Sequence, residues 1–134
     1  MKLTRCYRFC ASHRLHSSAL SEAENEQVYG KCNNPFGHGH DYVLELTVAG
    51  QRDERTGRLI DIEKLDRLVN HHLLSDLDHI DLNSEVPEFA TLVPTSENLA
   101  IVIAARLREN WTFATRLDTI RLQETKRNRF ELRS

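Results

Sequence analysis

Polar and apolar positions alternate along residues 2 to 10, with Leu3, Tyr7 and Phe9 on one face, and this period of two predicts a strand. Ser21-Glu22-Ala23-Glu24 has capping-box spacing and Gly30 offers a stop, so a short helix or helical turn is expected between them, leading into a loop around Cys32. Alternation resumes from about Gly37 to Arg52. A turn follows at Asp53-Glu54-Arg55-Thr56-Gly57, and Arg58-Leu59-Ile60-Asp61 reads as the returning arm of a β-hairpin. The period then becomes helical. Asp61 is placed to cap a helix whose apolar face is Ile62, Leu65, Leu68, Val69 and Leu73, with Leu74 to Leu77 finishing it, so Asp78 and His79 fall just past its end. Residues 80 to 94 are polar, carry two prolines and exceed the usual length of a connection, as expected of a functional loop. Thr95 or Ser96 caps a second amphipathic helix through Leu99, Val102, Ile103 and Leu107, and two closing strands are expected at about Arg116 to Glu124 and Arg129 to Arg133.

This order predicts an α+β domain: an antiparallel four-stranded sheet with two helices on one face. Long strands with open edges invite pairing between subunits into a closed barrel, so a homo-oligomer is expected. At 134 residues the chain accommodates one domain, residues 1–134, with no internal boundary. Hydrophobic residues are 40% and charged residues 28%, ordinary for a globular protein, and the net charge of −2 with both signs interspersed argues against nucleic acid as partner. A small molecule is the better expectation. No apolar run approaches the roughly 20 residues that cross a bilayer, and Met1-Lys2-Leu3-Thr4-Arg5 does not open a signal peptide, so no membrane association and a cytoplasmic location are expected. Cys6, Cys10 and Cys32 form an odd set without framework spacing, which predicts reduced thiols, Cys6 and Cys10 being ordinary strand residues.

Chemistry concentrates at His38-Gly39-His40. At spacing i and i+2 on a strand, both imidazoles leave the same face. His13 is in phase with Phe9 and Ala11, and a neighbouring strand can bring it alongside as a third ligand. Three neutral imidazoles suit zinc, which keeps a fourth position open in catalytic sites. An isolated His-Gly-His is as readily a solvated turn; the strand that follows at once and the nearby Cys32 weigh for ligation.

Cys32 lies in the turn-rich Gly30-Lys31-Cys32-Asn33-Asn34-Pro35-Phe36-Gly37. A cation and Lys31 nearby lower a thiol's pKa, making Cys32 a base or nucleophile; the alternative is a fourth zinc ligand closing a structural site. Asp78-His79 offers a carboxylate that can orient an imidazole for proton transfer, although such a pair at a helix end is more often a cap beside a solvated side chain. Glu124 ends an alternating strand, where its carboxylate can accept two N–H bonds from a 2-amino-4-oxo pyrimidine ring or simply be a surface charge. Glu97 reads plainly as a first-turn acid favoured by the helix dipole. His16, His71 and His72 carry no partner signal and read as surface residues.

Taken together, Phe9-Cys10-Ala11-Ser12-His13-Arg14-Leu15, Gly30-Lys31-Cys32-Asn33-Asn34-Pro35, Gly37-His38-Gly39-His40, Leu77-Asp78-His79, Pro94-Thr95-Ser96-Glu97-Asn98-Leu99-Ala100 and Glu124-Thr125 resemble the 6-pyruvoyl tetrahydropterin synthase family over nearly the whole length. The resemblance implies a tunnelling fold in which trimers close a β-barrel and stack in pairs into a hexamer, with active sites between subunits. It implies zinc (Zn²⁺) on His13, His38 and His40, a catalytic triad of Cys32, Asp78 and His79, and 7,8-dihydroneopterin triphosphate as substrate, its pterin ring anchored by Glu124 near Thr95, Ser96 and Glu97. In that reading the lyase forms 6-pyruvoyl tetrahydropterin for tetrahydrobiopterin biosynthesis, releasing triphosphate. The ring is reduced internally, in keeping with the absence of a dinucleotide fingerprint. The related 6-carboxytetrahydropterin synthase of queuosine biosynthesis starts from the same substrate. Cys32-Asn33-Asn34-Pro35 is similar to the pyruvoyl branch, whereas Leu59-Ile60-Asp61-Ile62 and the compact length look like the carboxy branch; Phe36 and Asp41 stand where the pyruvoyl branch more often has polar, uncharged residues. A protein that binds zinc or pterin without turnover is the remaining alternative.

Overall fold

In the computed structural model, which describes residues 1–134, two strands dominate. β1 (Lys2–His13) and β2 (His38–Ala49) run antiparallel over their full lengths, Lys2 facing Ala49 at one end and His13 facing His38 at the other. Alternation turns Phe9, Ala11 and His13 of β1 and Tyr42, Leu44, Leu46 and Val48 of β2 to one buried face. β1 thus extends three residues beyond the predicted end, far enough to carry His13 into the sheet.

β2 is also the reason the predicted hairpin is wrong. Its second edge is taken by a later strand, Arg116–Thr125, leaving no free ladder for Arg58-Leu59-Ile60-Asp61. That segment closes a loop instead. Gly57, at φ 74, donates its N–H to the Asp53 carbonyl, and Asp53 N–H bonds back to the Arg58 carbonyl at 2.9 Å. Ile60 then enters the core and Asp61 starts the next helix.

The sheet has five strands, not four. A two-residue β3 (Ile80–Asp81) pairs parallel with β1 at Ala11 and Ser12; β4 (Arg116–Thr125) and β5 (Asn128–Arg133) complete the order β3-β1-β2-β4-β5. The β4–β5 register shifts between Gln123 and Thr125, which sets Glu124 at an irregularity, the kind of feature that re-aims a side chain.

Three helices are longer than one turn. α1 (Glu22–Tyr29) has the predicted capping box between Ser21 and Glu24 and stops at Gly30. α2 (Ile62–Val69) is capped by Asp61, which accepts from Lys64 N–H, and continues through a π-turn (Asn70–Leu74) to Leu77. α3 (Ser96–Asn110) is capped by Thr95, whose side chain accepts from Asn98 N–H, so Ser96 is released for another task. Residues 80 to 94 are not the open polar loop expected. They form β3 and two helical turns, Leu82–Glu85 and Pro87–Ala90, pinned by buried Leu82, Val86 and Phe89. A fully buried side chain of this kind contributes about 1.5 to 3 kcal/mol, so three of them fix the segment firmly.

One core of 23 buried residues lies between the sheet and the helices. At its edge Arg5 and Tyr7 of β1 both donate to Asp66 of α2, tying helix to sheet by hydrogen bonds of 2.7 to 3.0 Å.

Candidate active site

The inward face of β1 and β2 ends in imidazoles. Because His13 and His38 are register partners and His40 follows two residues on, all three leave the same face at adjacent positions. Their Nε2 atoms converge: His13 lies 3.1 Å from His38, and His38 lies 2.8 Å from His40. The rings stand edge to face, with centroids 4.6 to 4.9 Å apart. Nitrogens bound tetrahedrally to zinc at about 2.05 Å would be about 3.3 Å apart, so the donors are already close to a ligand spacing. His13 Nδ1–H donates to the Pro94 carbonyl at 2.8 Å, leaving the Nε2 lone pair free to face the cluster. Burial pushes both His13 and His38 below the ordinary histidine value, which favours the neutral, ligating form. The donor set and the converging Nε2 atoms therefore fit a metal ion.

The surroundings hold this geometry. Gly37, at φ 71, brings the chain so close that a Cβ there would lie 3.1 Å from the His13 carbonyl oxygen. The Tyr42 ring stacks on Phe9 and meets His40 edge-on at 5.7 Å. Glu124 Oε1 lies 3.1 Å from His40 Nε2, and the Ser96 hydroxyl donates to Oε2. Both Glu124 oxygens thus lie beside the imidazoles and the start of α3. Glu97, the next residue in the first turn of α3, is exposed and has no ion-pair or hydrogen-bond partner. Thr95, as the helix cap, spends its hydroxyl on Asn98.

Cys32 sits in a 3₁₀ turn (Gly30–Asn33) and lines a cavity with Lys31, Asn34 and His38. The turn is anchored by residues to which the sequence assigned no individual role. Arg14 donates to the Asn33 backbone and side-chain oxygens, Leu15 N–H donates to the Cys32 carbonyl at 2.7 Å, and Asn83 clamps the Arg14 backbone on both sides. His16 belongs to this network as well: it is half-buried with Nδ1 3.1 Å from Asn33 Oδ1, not the free surface residue predicted. Protein groups alone push the Cys32 thiol up, through burial and then the Glu124 charge, opposite to the lowering expected from Lys31 and a cation.

Asp78 and His79 do face each other. His79 Nδ1 lies 3.0 Å from Asp78 Oδ1, which also accepts from Cys10 N–H at 2.8 Å. His79 is the single non-glycine residue with positive φ, 59°, held there by its N–H donating to the Cys10 carbonyl. His79 opens on a different cavity from Cys32, one lined by Cys10, Ser12, His40, Asp41 and Asp81. Within one chain, then, the three imidazoles and Cys32 assemble, while the Asp78–His79 pair does not meet that thiol.

The profile of the family described as 6-pyruvoyl tetrahydropterin synthase matches residues 2–134. The 6-pyruvoyl tetrahydrobiopterin synthase of Poecilia reticulata is 43% identical over 126 residues, covering 94% of this chain and 85% of that protein. The enzyme of the same name from Drosophila melanogaster is also 43% identical over 126 residues, covering 94% of this chain and 75% of that one. The structure of Caenorhabditis elegans 6-pyruvoyl tetrahydropterin synthase superposes with a TM-score of 0.95 at 37% identity, over 100% of this chain and 95% of that one. The fold is accordingly the tunnelling type, and the chain belongs to the 6-pyruvoyl tetrahydropterin synthase family.

Proposed function

We propose that the protein is a zinc-dependent lyase that converts 7,8-dihydroneopterin triphosphate to 6-pyruvoyl tetrahydropterin with loss of triphosphate. The observation that carries this reading is the convergence of His13, His38 and His40 Nε2 atoms beside Cys32, in a chain 43% identical to enzymes of that name. Zinc bound by these three imidazoles would supply a Lewis-acid position for the substrate's side-chain hydroxyls. Cys32, next to His38, is placed to take a proton from the substrate side chain. His79, oriented by Asp78, is placed to accept and return protons while the side chain rearranges, and triphosphate then departs by elimination. Glu124 is the proposed anchor for the pterin N–H groups, with Thr95, Ser96 and Glu97 beside it; its present contact is with His40 Nε2, the nitrogen that zinc would take, so metal binding would free that carboxylate oxygen for the ring.

Cys32 and His79 line separate cavities, which supports a triad completed by a second copy of the chain. The proposed enzyme is a single-domain, cytoplasmic homohexamer of two trimers with closed barrels and sites between subunits.

Incubating the zinc-loaded protein with 7,8-dihydroneopterin triphosphate and identifying the product by mass tests the reading. The pyruvoyl product is expected. A 6-carboxy product would transfer the chain to the queuosine branch, and bound but unconverted substrate would leave a pterin-binding protein.

A further inference from the structure

On the outward face of the sheet Cys10 and Asp41 are cross-strand partners, and the Cys10 thiol donates to Asp41 Oδ1 at 2.7 Å. Asp78 and His79 stand against the same residue, so that ligand atoms of Cys10, Asp78 and His79 all lie within 4.8 Å of one another. Cys10, Asp41 and His79 open on a cavity of about 370 Å³ that Asp81 and, at its border with the three-histidine site, His40 also line. Two carboxylates, Asp41 and Asp81, line this space and a third, Asp78, adjoins it through His79; none of the three is paired with a lysine or arginine, and His79 is the only basic partner among them. A concentration of negative charge without a counter-ion, combined with a thiol and an imidazole, is the donor set of a borderline-soft divalent cation.

We propose that Cys10, Asp41, Asp78 and His79 form a second metal site, distinct from the three-histidine site, and that zinc bound there silences the Asp78–His79 pair. On binding, the Cys10 thiol releases its proton to solvent and the sulfur bonds the metal, with Asp41 moving from thiol acceptor to carboxylate ligand. The imidazole of His79 gives its free lone pair to the ion and can no longer take up a proton. Zinc then acts in two senses. The first equivalent supports turnover and an excess suppresses it. The suppression rests on the reading of Asp78 and His79 as the proton-handling pair; the binding does not.

The test begins with protein carrying one equivalent of zinc, titrated with Zn²⁺ against a chromophoric chelator. A second equivalent is expected in the parent and a tenfold or greater loss of its affinity in Cys10→Ser, which keeps the backbone bonds to Asp78 and His79 and hence the turnover at one equivalent. Co²⁺ in the second site should give a thiolate-to-cobalt charge-transfer band that Cys10→Ser abolishes and Cys32→Ser leaves. Inhibition by excess zinc should require at least tenfold more metal in Cys10→Ser. A single equivalent in the parent, an unchanged second affinity in Cys10→Ser, or a band that follows Cys32 overturns the site. A second equivalent that depends on Cys10 yet leaves turnover untouched upholds the metal site and overturns both its inhibitory role and the catalytic reading of the pair.

Discussion

His79 holds a backbone conformation that L-residues reach at a cost of about 1 to 2 kcal/mol, and it does so to place its ring beside Asp78. His79→Gly should therefore be more stable than His79→Ala by about 1 kcal/mol in urea unfolding, with both lacking turnover. Equal stability of the two would mean that no strain is stored there. Cys32→Ala should retain the metal while losing turnover by about 10² or more, the scale of a removed acid–base group; metal content and rate measured on one sample check it. His38 and His40 were legible in the chain because spacing alone puts them on one face. The groups that orient the site were not. The Pro94 carbonyl that fixes the His13 tautomer is backbone and carries no side-chain signature, and the engagement of Glu124 by Ser96 and His40 joins three distant segments.

At the scale of elements, caps and periods were reliable where the deciding contacts are local: Ser21, Asp61 and Thr95 all cap the helices they precede. The error at residues 58–61 was not local, since it turned on which strand takes the second edge of β2, a choice made by residues some 60 positions later. Residues 80 to 94 misled similarly, because Leu82, Val86 and Phe89 are spaced among polar residues yet reach one core. The turn entering β2 tests how tightly the metal strand is set. Gly37→Ala must adopt φ near 71 and push its Cβ against the His13 carbonyl, so a loss of about 1 to 2 kcal/mol and weaker metal binding are expected. Unaltered metal affinity would show that the turn does not position His38.

Asp66 joins α2 to β1 and gives the fold a pH signature. The hydrogen-bonded Arg5 guanidinium, aided by the Tyr7 hydroxyl, holds its carboxyl below the usual range. A depressed folded value means that the stabilisation is present above the unfolded value near 4 and is lost as pH falls through the lower, folded one. Asp66→Asn should cost about 1 kcal/mol at pH 7, a modest figure because the pair is partly solvated, and flatten the decline in stability below about pH 4. Urea midpoints at pH 7 and pH 3 compare the two; parallel declines would exclude the role.

For the whole molecule, the α+β class and the open sheet edges were readable in the sequence, and with them the expectation of assembly. Light scattering should give the mass of six chains of 15.5 kDa, and a monomer would remove the basis for a shared site. The separation of the Cys32 cavity from the His79 cavity reaches further than mass. If every reaction centre borrows one half from a neighbour, two inactive proteins can repair each other. Co-expressing Cys32→Ala with His79→Ala in equal amounts would leave about a quarter of the centres with both halves intact, so activity would reappear from parents that have none. A gene damaged at one of these positions and a second copy damaged at the other would then be milder in combination than either alone.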